Sequence, residues 1–116
     1  MTIPNLQKLN YAGENLTKIL RTNQPLSLLD GIDRRTGMII DPHHDLYGQS
    51  IAGVELYFPH SVGSTVGIMT LIELKEHNKA PSQIILEDPD TNVIAGCILA
   101  NIPISIKNQP LKKLPS

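Results

Sequence analysis

Aromatic residues and cysteines are scarce in this chain of 116 residues. It contains no tryptophan, one phenylalanine and three tyrosines, so its core has to be built mainly from Ile, Leu and Val. The aromatic platforms on which single-stranded nucleic acids stack are therefore not expected. The one cysteine, Cys97, excludes an internal disulfide and cannot by itself hold a zinc ion or an iron–sulfur cluster. Any metal that the protein uses has to be held by another chain.

An excess of charge of one sign and long apolar runs are lacking as well. Ten basic residues stand against eleven acidic ones, whereas proteins that neutralise a phosphate backbone carry a clear excess of Lys and Arg. No apolar run approaches the roughly 20 residues of a membrane-spanning helix, and the N-terminus has no basic region followed by an apolar stretch. We expect no nucleic-acid partner, no membrane attachment and a cytoplasmic location.

The composition is that of a globular domain. Hydrophobic residues make up 41% of the chain and charged residues 18%, which is sufficient for one packed core. We divide the chain into a poorly defined N-terminal segment (1–23), a domain core (24–106) and a C-terminal tail (107–116). Residues 24–53 are predicted to form a long connection, and a connection of this length is uncommon unless it has a function.

The second half of the chain alternates between strand and helix patterns. Three segments have the composition of strands: 54–58, 82–86 and 102–106. A helical pattern follows Gly63, and a second one covers 93–100, for which Asp88 and Pro89 are the predicted start because Asp can cap a helix and proline fits its first position. This alternation predicts an α/β domain whose strands pair in parallel through right-handed crossovers.

The turn Gly63-Ser64-Thr65, between a strand and a helix, is the most informative candidate site. A helix N-terminus offers unpaired backbone N–H groups and a partial positive charge, which stabilise anions and oxyanions. Ser64 is therefore the catalytic candidate, and Gly63 and Thr65 are candidates for substrate binding. The alternative, which is the commoner use of such residues, is that Ser64 or Thr65 only caps the helix. The spacing leaves both interpretations open.

Two residues of the long connection are further candidates. His43 and His44 lie among aspartates, but adjacent side chains of an extended segment point in opposite directions and rarely bind one metal ion, so a solvated loop is the preferred interpretation. His44 alone is a candidate proton donor or acceptor. Asp33 is a candidate acid or base, or more commonly a turn former. We assign no metal ligand to this chain.

Several linked motifs resemble the small subunit of aconitase X. They are Leu26-Ser-Leu-Leu-Asp-Gly-Ile-Asp33, Thr36-Gly-Met-Ile-Ile-Asp41, Gly48-Gln-Ser-Ile-Ala-Gly53, Gly63-Ser-Thr-Val-Gly67 and Ala100-Asn-Ile-Pro103. The resemblance extends from Ala12 to Ile104. It implies the swivelling β/β/α three-layer domain of the aconitase small-subunit type.

The resemblance also implies an activity, that of a hydro-lyase (dehydratase) subunit that works only as a heterodimer with a large subunit. The large subunit would bind the iron–sulfur cluster or iron. Archaeal members look like phosphomevalonate dehydratases, which act on mevalonate 5-phosphate in a modified mevalonate pathway, and bacterial relatives dehydrate cis-3-hydroxy-L-proline. The proton-accepting serine of the family falls on Ser64. The alternatives are a stand-alone module that binds a small carboxylate or phosphate, and a structural subunit without catalysis.

Overall fold

The computed structural model describes residues 18–107, so most of the predicted N-terminal segment and nearly all of the predicted tail lie outside the described residues. In chain order the elements are β1 (Ile19–Arg21), β2 (Leu26–Ser27), β3 (Glu55–Phe58), β4 (Ser61–Val62), α1 (Ile68–Glu76), β5 (Gln83–Leu86), α2 (Thr91–Ala100) and β6 (Ile104–Ile106).

The centre of the fold is a parallel sheet with the strand order β1-β3-β5-β6. Leu20, Leu56, Ile84 and Ile104 lie side by side across it, and the first three are buried. Because side chains alternate between the two faces of a strand, Phe58 and Leu86 extend the same apolar face. The predicted α/β domain with parallel pairing of its three later strands is confirmed, and β1 adds a fourth strand.

The two helices pack against each other and against the apolar face of the sheet. In α2 the buried residues Val93, Gly96, Cys97 and Ala100 follow the spacing of one helix face. A Cβ atom at Gly96 would lie 2.8 Å from Leu71 Cδ1, so the absence of a side chain there lets α1 approach closely. The central residues of the domain therefore lie between the helices and the sheet.

The predicted start of α2 at Asp88 and Pro89 is wrong. The helix begins at Thr91, and Asp90 is its N-cap, because the Asp90 side chain accepts hydrogen bonds from the N–H groups of Asn92 and Val93. The next strand also begins later than predicted, at Ile104. Asn101 ends α2 in the left-handed conformation (φ 60°), and Ile102 donates its N–H back to the Cys97 carbonyl, so this residue still belongs to the helix terminus.

The long connection between β1 and β3 has its own pairing and its own apolar core. Its strand β2 pairs in parallel with β4, which follows β3, and the two form a second, two-stranded sheet. Isolated bridges join Ile32 to Ile39 and Met38 to Ser50. Seven of its apolar side chains are buried: Leu26, Leu28, Ile32, Ile39, Leu46, Ile51 and Val54. Their spacing fits neither a helix nor a strand period, which is why the sequence pattern predicts only a connection.

Candidate active site

The candidate turn leads from β4 into α1. Gly63 has a positive φ of 103°, which favours glycine, and Ser64 follows in an extended conformation. The exposed Ser64 hydroxyl accepts a hydrogen bond from the Val66 N–H at 3.0 Å, and one 3₁₀ turn, Thr65–Gly67, then joins α1. Ser64 is thus a helix cap. Its hydroxyl proton has no acceptor among the described residues, so this proton is available to another molecule.

A second feature of the sequence, the motif that begins at Leu26, lies directly against this turn. Gly31 donates its N–H to the Ser27 carbonyl at 2.9 Å, which closes a turn over residues 27–31. A Cβ atom at Gly67 would lie 3.0 Å from Leu28 Cβ, and one at Gly63 would lie 3.6 Å from Ser27 Oγ. Two motifs far apart in sequence therefore meet beside Ser64.

An aspartate that the sequence analysis did not single out holds the strand before the turn. Oδ2 of Asp90 accepts hydrogen bonds from the N–H and the hydroxyl of Ser61, at 2.7 and 2.8 Å. Burial raises the pKa of the Asp90 carboxyl, but the hydrogen bonds from Ser61, Val93 and Asn92 outweigh burial and leave the pKa below its ordinary value of 3.8. Asp90 therefore stays ionised at neutral pH. An aspartate one residue before an apolar helix could have been recognised in the sequence as its cap.

Large apolar side chains are exposed close to Ser64 in the sequence. Val62, Val66 and Met69 expose 47%, 53% and 46% of their surface. From Leu56 to Ile72 the sequence contains no Asp, Glu, Lys or Arg. Exposed apolar side chains grouped in this way are typical of surfaces that bind another molecule.

The structure places His44 away from solvent, so the expectation of a solvated loop is wrong for this residue. Its ring is buried, with Nε2 at 3.1 Å from the Pro25 carbonyl, and Nδ1 accepts the Leu46 N–H at 3.0 Å. An acceptor role for Nδ1 requires the neutral ring with its proton on Nε2. Both ring nitrogens thus hold the long connection together. Proton transfer by His44 stays a prediction.

No hydrogen bond joins Asp33 to Ser64 in the described part of the chain. Oδ1 of Asp33 accepts the N–H groups of Arg35 and Thr36 at 2.8 and 3.3 Å, the geometry of a turn former. The next residue, Arg34, forms an ion pair with Glu73 at 3.5 Å, near the end of α1. The intervening 3₁₀ turn and helix put Ser64 and Glu73 roughly 13 Å apart. A role for Asp33 in catalysis stays a prediction.

Residues 18–107 contain neither a group of side chains placed to hold a metal ion nor a reactive thiol. Among residues 18–107, no group of three or more His, Cys, Asp or Glu side chains is placed to hold a metal ion. None of the helices in this part of the chain is long and apolar enough to cross a membrane. Cys97 is fully buried, and burial raises the pKa of its thiol to about 12, so it is not a nucleophile at neutral pH.

The chain is thus a parallel α/β domain whose best-formed candidate site is an exposed, serine-capped helix N-terminus. The protein family described as the aconitase X swivel domain matches residues 7–116. Because this match covers nearly the whole chain, the chain belongs to the aconitase X swivel domain family.

Individual relatives agree with this assignment. The phosphomevalonate dehydratase small subunit of Thermococcus kodakarensis is 44% identical over 87 residues, which are 75% of this chain and 65% of that subunit. The small subunit of Pyrococcus horikoshii is 42% identical over 84% of this chain and 72% of its own length. The crystal structure of Thermococcus kodakaraensis aconitase X in its holo-form superposes with a TM-score of 0.76 at 40% identity, covering 86% of this chain and 76% of that one. The chain thus spans about two thirds of the length of the first of these relatives.

Proposed function

We propose that this chain is the small subunit of a phosphomevalonate dehydratase, a hydro-lyase that removes water from mevalonate 5-phosphate together with a large subunit. Its similarity to the small subunits from Thermococcus and Pyrococcus supports the substrate. The observation that carries the proposal is the Ser64 turn, where a hydroxyl with a free proton stands at a helix N-terminus. The proposed location is the cytoplasm.

In the proposed reaction Ser64 Oγ, in its deprotonated form, takes a proton from a carbon atom of the substrate. The Val66 N–H, already 3.0 Å from this oxygen, stabilises the negative charge, and the helix N-terminus adds its partial positive charge. The backbone N–H groups of Gly63 and Thr65 are the proposed contacts of the substrate's anionic groups. The large subunit would hold the iron–sulfur cluster or iron, which would supply a Lewis acid for the departing hydroxyl group.

The apolar surface formed by Val62, Val66 and Met69 supports the proposed heterodimer. A serine hydroxyl is too weak an acid to be ionised in water, and its charged form needs preorganised donors such as the Val66 N–H, whose interaction with it becomes stronger when water is excluded. If a large subunit covers these three side chains, the turn becomes dry at the same time as the two halves of the site meet. Binding and activation of Ser64 are then one event.

The test is co-expression with the large subunit, followed by a dehydration assay on mevalonate 5-phosphate. We expect turnover by the wild-type complex, and turnover reduced by about 10²- to 10⁴-fold in Ser64→Ala, the range for loss of a general base. Ser105→Ala is the matched control, because this exposed serine only contacts Gln83, at 3.3 Å, on the opposite face of the sheet.

Other results would contradict the proposal. A cluster-loaded complex that dehydrates cis-3-hydroxy-L-proline and not mevalonate 5-phosphate would keep the hydro-lyase and change its substrate. A chain that forms no complex and binds a small carboxylate alone would indicate a binding module. Full turnover in Ser64→Ala would reduce the serine to a helix cap.

A further inference from the structure

Asp90 connects the candidate turn to the start of the other helix through separate oxygen atoms. Its Oδ1 accepts the N–H groups of Asn92 and Val93 at 3.1 and 3.2 Å, which caps α2. Its Oδ2 accepts both hydrogen bonds from Ser61, three residues before Ser64. One oxygen of Asp90 therefore caps α2, and the other holds the strand that leads to Ser64.

The Ser61 bonds fix a part of the chain that has few other restraints. Strand β4 has two residues and pairs only with the equally short β2 within the described part of the chain. After it come Gly63, with its positive φ, and the exposed Ser64. A charged acceptor bound by two donors at 2.7 and 2.8 Å is the strongest polar contact of this segment. Without it, the approach to Ser64 keeps the short β2–β4 pairing and the hydrogen bonds that the Pro59 carbonyl accepts from the Glu87 and Asp88 N–H groups, both at 3.2 Å.

We infer that Asp90 is a positioning residue for Ser64, which it acts on through Ser61 and the turn. The inference rests on the proposed catalytic role of Ser64. Asp90 does not touch the substrate and takes no proton; it keeps the Ser64 oxygen where a substrate held by another subunit can meet it. Misplacement of a reacting group by about 1 Å can lower a rate by about 10²-fold, so a fixed turn matters even where the fold is stable.

Because Oδ1 of Asp90 caps α2 and Oδ2 binds Ser61, one substitution can remove the Ser61 contacts and keep the cap. In Asp90→Asn the amide oxygen can keep capping α2, since Asn is as good an N-cap as Asp. The amide nitrogen then faces the two Ser61 donors and cannot accept from either. Ser61→Ala removes one of the two bonds, and Ser61→Thr keeps the hydroxyl. Asp88→Asn is the matched control, being an exposed carboxylate in the same loop.

In the two-subunit complex we expect Asp90→Asn to lower kcat by about 10- to 100-fold with KM changed less than about threefold, following the cost of misplacement. Ser61→Ala should lower kcat by a smaller factor, Ser61→Thr should restore most of it, and Asp88→Asn should leave it unchanged. A kcat unchanged in Asp90→Asn, or a loss that appears only in KM, would overturn the inference. So would a loss of equal size in Asp88→Asn.

A second measurement separates failure of this inference from failure of the proposed function. Amide hydrogen exchange on the full chain in its complex needs no substrate. Asp90→Asn should speed exchange at Ser61 and in the Ser64 turn, while exchange at Val93 stays near its wild-type rate. If the wild-type complex has no activity but this pattern appears, the proposed function fails and the positioning contact stands. If exchange in the turn is unchanged, Asp90 does not hold the turn, whatever the enzyme does.

Discussion

The starts of α1 and α2 differ in how completely their capping side chains are used. Ser64 caps the 3₁₀ turn that leads into α1 with a single accepted hydrogen bond at 3.0 Å, and its own proton has no acceptor among the described residues, whereas the Asp90 carboxylate accepts bonds from Ser61, Asn92 and Val93. Both caps follow a strand and precede a helix of the same layer. An N-cap side chain is therefore a candidate functional group when it retains unused hydrogen-bonding capacity. When all of that capacity is used, as at Asp90, the side chain has a structural role.

The largest expected effect is on turnover in Ser64→Asn, a variant that distinguishes the capping role of Ser64 from its proposed catalytic role. Ser64→Asn preserves a good N-cap but removes the hydroxyl, so we expect unfolding free energy within about 0.5 kcal/mol of wild type. Turnover should fall by about 10²- to 10⁴-fold, as expected for loss of a general base. Urea unfolding and the dehydration assay measure the two quantities. A Ser64→Asn enzyme with wild-type turnover would show that the two caps do not differ in the way described.

For unfolding free energy, in contrast to turnover, we expect the larger effect at Asp90 and the smaller one at Ser64. Asp90→Ala removes the α2 cap and leaves the Ser61 donors without their acceptor, so we expect a loss of about 2 to 4 kcal/mol in unfolding free energy. Ser64→Ala should lose only about 1 kcal/mol, since its one bond is exposed. Urea denaturation of the two variants side by side checks this. Equal losses would mean that the extra bonds of Asp90 contribute nothing.

The two helix glycines give a smaller contrast. A Cβ at Gly67 meets Leu28 Cβ at 3.0 Å and the Leu29 backbone nitrogen at 3.4 Å, and neither atom can move without its main chain. At Gly96 the only contact below 3.4 Å is the terminal methyl Cδ1 of Leu71, which can rotate away. We expect Gly67→Ala to cost about 1 to 3 kcal/mol. Gly96→Ala should cost less, because alanine regains up to about 1 kcal/mol of helix propensity. Thermal unfolding of both variants measures the difference.

The smallest expected effect is a dependence of stability on pH that Asp90 contributes. Hydrogen bonds to its carboxylate hold the folded-state pKa below the ordinary value. The stabilisation is therefore complete above the unfolded pKa of about 3.9 and is lost as the pH falls through the folded pKa. Between pH 5 and pH 3, wild-type stability should fall more steeply than that of Asp90→Asn. Parallel curves in urea titrations at several pH values would contradict this assignment.

The sequence was sufficient for the parts of the fold that repeat a regular period. The alternation in 54–58 and the helical spacing after Gly63 predict elements that the structure contains, because regular burial on one face leaves a regular pattern. The start of α2 was missed because Asp88-Pro89 and Asp90 are both plausible caps, and only the contact with Ser61, 29 residues away in sequence, decides between them. A non-local contact of this kind leaves no local signal.

In the candidate site, too, only the features with a local sequence signal could be predicted. Ser64 could be proposed from the strand-glycine-helix order, which is local. Neither the approach of the Ser27–Gly31 turn nor the burial of His44 could be predicted, since both depend on how the connection between β1 and β3 folds back on itself. The ion pair of Arg34, the neighbour of Asp33, with Glu73 is likewise a contact that no local pattern predicts. Loop residues that belong to the same set of sequence motifs need not lie close together in the structure.

The burial of Cys97 makes the wild-type chain a ready background for site-directed labelling. It is the only cysteine in the sequence, and burial both shields its thiol and raises the thiol pKa to about 12, so little of it is ionised at neutral pH. A maleimide dye or spin label would therefore react with an introduced cysteine and leave the native one untouched. One such label in place of exposed Met69, beside the Ser64 turn, would report the docking of another protein as a change in its emission or mobility, without a prior cysteine-free variant.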